Sequence, residues 1–76
     1  MKELFKETLK AAKQYEADKK RYYHELDIAE EKGSLYSDEE TWYRITLESC
    51  NYLQGLLKAI HLMGLSEAYN EYKLQH

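Results

Sequence analysis

Proline is absent from this 76-residue chain, glycine occurs three times and cysteine once. With so little of either helix breaker, no linker or low-complexity tract divides the chain, and no internal repeat is visible. The single Cys50 excludes an internal disulfide. No Cys/His cluster has the spacing of a structural zinc site. The longest apolar stretch, Leu56 to Leu65, is interrupted by Lys58 and His61 and is too short to span a bilayer. The opening residues Met1-Lys2-Glu3-Leu4-Phe5-Lys6 carry charges where a secretory leader would have its apolar core. A lone thiol also suits a reducing compartment. The expectation is one small cytoplasmic domain over residues 1–76, with no membrane contact. A domain of this size buries only about 60% of the surface its unfolded chain exposes. Its thin core needs a supplement, and self-association or a partner protein is the one left.

What is present is helical periodicity. Gly33 and Gly64 stand where helices would end, dividing the chain into segments 2–32, 38–63 and 66–75, with a turn at 33–37. In the first segment Phe5, Thr8, Ala12, Tyr15, Lys19, Tyr22, Leu26 and Ala29 step by three and four residues, a seam with one flaw at Lys19. No stretch alternates with period two, which argues against strands. Ser37 followed by Glu40 reads as a capping box for the second helix. Asp38 and Glu39 suit the positive end of its dipole. The second seam is Trp42, Ile45, Ser49, Tyr52, Leu56, Ala59 and Met63. Folding the chain about residue 35 sets Leu26 against Ile45, Tyr22 against Ser49, Tyr15 against Leu56 and Ala12 against Ala59 and Ile60. The predicted fold class is all-α: a long antiparallel helical hairpin with a short C-terminal helix.

The second helix is more apolar than one partner requires. A further row, Tyr43, Leu47, Cys50, Gln54, Leu57 and His61, runs beside the seam, with Thr46, Leu53 and Ile60 between. The short tail offers Leu65, Ala68, Tyr69 and Tyr72 as partial cover, but ten residues make a marginal helix. Dimerisation of two hairpins into a four-helix bundle is therefore expected, with Tyr43, Leu47, Cys50, Leu53, Gln54, Leu57 and His61 as the self-association or partner face. Gly55, in mid-helix beside Asn51 and Ala59, predicts either a close approach of another backbone or a bend.

No catalytic constellation is visible. Cys50, His61 and Glu48 contain the ingredients of a thiol site, but eleven residues of helix separate Cys50 from His61 by about 16 Å. His24, beside Glu25 and Asp27, lacks the spacing for metal ligation. A non-enzymatic protein with no cofactor and no metal is expected. Lys19-Lys20-Arg21-Tyr22-Tyr23 places basic residues next to aromatics, as nucleic-acid surfaces do. The three basic residues spread around a helix, however, and Glu16, Asp18, Glu25 and Asp27 flank them, which argues against nucleic acid as a partner.

Charge is segregated nonetheless. Residues 2–23 hold seven basic and four acidic groups, and residues 24–48 hold two basic and eight acidic, within an overall charge of −3. A hairpin then has an acidic turn end and a mildly basic open end. Glu30 and Glu31 lie near a helix C-terminus, where the dipole disfavours acids. The acidic tip, Glu25, Asp27, Glu30, Glu31, Asp38 and Glu39 with Tyr36, is the candidate surface for a basic protein partner. Eight tyrosines supply contact area at low rotamer cost, and Tyr36, Tyr43 and Trp42 are the candidate anchors. The function expected is a small regulator or inhibitor docking on a larger protein. By analogy alone, an inhibitor of a nucleic-acid-handling complex, of the kind phages and mobile elements encode, would suit an acidic tip. The runner-up is a dimeric nucleic-acid-binding regulator using the basic N-terminal helix.

Overall fold

The computed structural model describes residues 2–76. It contains three α-helices, α1 (Lys2–Lys32), α2 (Glu39–Leu62) and α3 (Ser66–Gln75), with a 3-10 turn at Ser34–Tyr36 and no strand among the described residues. The first two helices pack as an antiparallel hairpin, and the molecule measures 47 × 22 × 15 Å. Among the described residues, no helix is long and apolar enough to cross a membrane.

Two glycines stop the helices by taking a backbone conformation that L side chains resist. Gly33 has φ +97° and donates its N–H to Ala29 O. Gly64 has φ +70° and donates to His61 O, while Leu65 N–H reaches back to Ile60 O. That pair of bonds is a Schellman closure. It turns Leu65 onto Ile60, where both join the core.

Each helix uses one of its expected rows and exchanges the other for its neighbour. On α1 the line toward α2 is Thr8, Ala11, Tyr15, Asp18, Tyr22 and Glu25, a regular four-three alternation. Thr8, Ala11, Asp18 and Glu25 are buried, and the expected Ala12, Lys19 and Leu26 are only half-buried. On α2 the line is Trp42, Thr46, Ser49, Leu53, Leu56 and Ile60, with Leu53 and Ile60 buried. Tyr52 and Met63, expected in the seam, are more than half exposed. Lys19 is thus no flaw in the seam. The polar residues there are Asp18 and Glu25, and α2 supplies their partners.

The register differs as well. Tyr22 packs on Tyr43 at 5.6 Å between ring centroids, Thr46 Oγ1 donates to Asp18 O at 3.1 Å, and Asp38 N–H donates to Glu25 Oε2 at 3.0 Å. Relative to folding about residue 35, α2 sits more than one helical turn along α1. The cause is the connection, whose 3-10 turn lies back along α1, so that α2 starts opposite Glu25 rather than opposite Lys32.

The same contact replaces the expected capping box. Asp38, not Ser37, is the N-cap, and its carbonyl accepts the first helical bond from Trp42 N–H at 3.0 Å. Ser37 Oγ accepts the Glu39 N–H at a long 3.4 Å, and the exposed Glu40 side chain makes no return bond. Glu25 takes that role across the hairpin, as a negative charge at the positive end of α2.

The apolar core lies at the open end. Phe5, Ile60 and Tyr69 are buried together, with Leu4, Leu57, Leu65 and Tyr72 packed around them. Phe5 stands 5.7 Å from both tyrosine rings. α3 is held by these aromatic contacts and has no side-chain cap at its N-terminus.

Candidate functional site

At the turn end, Gly33 swings the chain out of α1 and the 3-10 turn presents two apolar side chains to solvent. Leu35 is 97% exposed and Tyr36 73%. Asp27, Glu30, Glu31, Asp38 and Glu40 are exposed on the flanking helix ends, and Glu39 is half-buried. Ser34, Leu35, Asp38, Glu39 and Glu40 line a recess of about 390 Å³. Glu25 does not share this surface. It is 3% exposed, with Arg21 Nη2 2.9 Å from one oxygen and the Asp38 N–H on the other. Arg21 also lies 5.6 Å from the Trp42 ring, which places Trp42 in the wall of the hairpin.

The apolar row of α2 is divided by the fold. Leu53 is buried against α1, and Leu57 packs beneath α3. Gln54 and His61 are exposed, Cys50 is half-buried, and Tyr43 and Leu47 remain about half exposed. Tyr43, Leu47 and Cys50 line a shallow groove of about 200 Å³ with Tyr15, Tyr22 and Tyr23. Lys19 lies at its edge, 5.2 Å from the Tyr15 ring and 3.3 Å from Glu16. The hydrogen bond to Glu16, and then its charge, raise the Lys19 ammonium above the ordinary lysine range.

The basic N-terminal helix noted in the sequence becomes a second, defined surface. On the outer face of α1, Lys6, Lys10, Lys13 and Gln14, with Leu9 and Ala17, face Tyr72 of α3 and His76 just beyond it across a groove of about 560 Å³. No acidic residue lines it. Tyr72 and His76 stack at 4.3 Å. The signal was available, because Lys2, Lys6, Lys10 and Lys13 recur at helical spacing. The aromatic wall could not be read, since it depends on where α3 docks.

Among the described residues, no group of three or more His, Cys, Asp and Glu could hold a metal ion. Comparison with protein families, curated proteins and solved structures finds no match.

Proposed function

We propose that this chain is a non-enzymatic protein-binding module, a regulator or inhibitor that docks its acidic tip on a basic surface of a larger protein. The observation that carries this reading is the pairing of Leu35 and Tyr36, both largely exposed, with a surrounding set of carboxylates. An apolar and aromatic anchor inside a charged rim is the common composition of a binding patch. The carboxylates steer the encounter and the two side chains hold the complex. Capture of a protein by the full chain, compared with Leu35→Ala/Tyr36→Ala, tests it. The wild type should retain a basic partner that the double variant loses, and retention should weaken with salt. Equal retention by both, or no retention by the wild type, removes the reading.

The module is also proposed to pair with a second copy as a four-helix bundle. Tyr23, Tyr43 and Leu47, all about half exposed on one groove, support this. Sedimentation equilibrium of wild type and Leu47→Glu should show a dimer and a monomer. A monomeric wild type removes the dimer and leaves the tip untouched.

A further inference from the structure

At the opposite end of the molecule, the geometry points to a second binding site: the lysine groove of α1 takes single-stranded nucleic acid, with phosphates on the lysines and a base on the Tyr72–His76 pair. Lys6, Lys10 and Lys13 line one wall and make no ion pair with any described residue. The nearby Glu7 is engaged elsewhere, accepting the Tyr52 hydroxyl at 3.0 Å on the side toward α2. Lys2 continues the same face of α1, eleven residues or three turns before Lys13, and Glu16 ends the basic row beyond it. The row is therefore about 16 Å long, the form of a track rather than a point site. Ammonium groups suit phosphates, which they neutralise without reading sequence.

The other wall decides between polyanions. Tyr72 is fixed against Phe5 at 5.7 Å and stacks on the exposed His76 at 4.3 Å. An exposed ring pair beside a cationic track fits a strand whose bases are free to stack. A duplex keeps its bases stacked inside, so a single strand is the form that uses both walls. The net charge of −3 does not oppose this. Asp27, the first exposed acid of the tip, lies fourteen residues beyond Lys13, about 21 Å along α1, against a screening length of about 8 Å at physiological salt.

Fluorescence anisotropy with a labelled oligothymidylate tests the site on the full chain. Three phosphate contacts on a single strand predict a slope of log K against log salt of about −2. Lys6→Gln/Lys10→Gln/Lys13→Gln should remove most of that slope and weaken binding at least about tenfold at low salt. Lys32→Gln/Arg44→Gln/Lys58→Gln, with the same charge change elsewhere, should leave binding in place. His76→Ala should weaken the base-bearing strand and leave an abasic strand of equal length unaffected. Circular dichroism of each variant confirms that the helices persist. Absence of wild-type binding, equal loss in both triple variants, equal affinity for the abasic strand, or full competition by polyglutamate each overturns the assignment.

Discussion

Two buried carboxylates share one seam, and replacing each by leucine should move stability in opposite directions. Asp18 is 6% exposed and has no cation within ion-pair distance. Its carboxylate accepts from Gln14 Nε2 at 2.9 Å and from the Ser49 hydroxyl. Thr46 donates to its backbone oxygen, which a substitution leaves in place. In Asp18→Leu neither side-chain donor is orphaned, because Ser49 Oγ also lies 3.1 Å from Ile45 O and Gln14 is exposed to water. Leucine carries the same number of side-chain heavy atoms as aspartate and so takes up the space the carboxylate leaves. Burying a leucine contributes about 1.5–3 kcal/mol. The two lost charged hydrogen bonds cost about 3–6 kcal/mol together, and relief of the buried carboxylate's desolvation penalty, several kcal/mol, offsets them. The net expectation is a gain of about 1–2 kcal/mol, with Tm rising about 4–8 °C per kcal/mol for a chain of this size. Glu25→Leu fills the equivalent seam position but removes the acceptor of the Asp38 N–H at the positive end of α2. Half-exposed Arg21 can turn to water, whereas the helix end loses its charge, for an expected loss of about 2 kcal/mol. Urea unfolding followed by helical dichroism and Trp42 fluorescence measures both. Destabilisation by Asp18→Leu, or stabilisation by Glu25→Leu, would refute the assignment of partners.

Gly55→Ala should stabilise α2 by about 1 kcal/mol, because a Cβ there meets nothing within 4 Å; a lower urea midpoint would show that another backbone approaches that face in solution. Burial holds the Tyr69 phenol above its ordinary range, and the hydrogen bond to Glu7 does the same for Tyr52. The folded state therefore favours the protonated phenols. Their contribution is complete below the ordinary tyrosine pKa of about 10 and declines as pH climbs through the raised folded values. Thermal melts at rising alkaline pH should show this decline, and Tyr69→Phe should flatten it; an unchanged pH profile in that variant would place the effect elsewhere.

The sequence by itself determined that the chain is helical and where its helices stop. Apolar residues at three- and four-residue spacing allow little else, and Gly33 and Gly64 occupy the two positive-φ positions. It also placed opposite charges at opposite ends, because in a hairpin position along the chain becomes position along the long axis. It did not decide which neighbouring row of each helix faces the other. Hydrophobicity favours Leu26 over Glu25 and sees no merit in Asp18. The structure buries both acids because Asp38 N–H and Ser49 meet them from α2, partners that exist only once the helices are paired. Register depended in the same way on the path of the 3-10 turn. The tip loses Glu25 to that pairing and keeps Leu35 and Tyr36 in solvent. The lysine groove gains its aromatic wall only when Phe5 draws Tyr69 and Tyr72 onto the open end. Periodicity is a property of one helix at a time, whereas the partners that make a buried carboxylate tolerable, or a row of lysines into a groove, come from another.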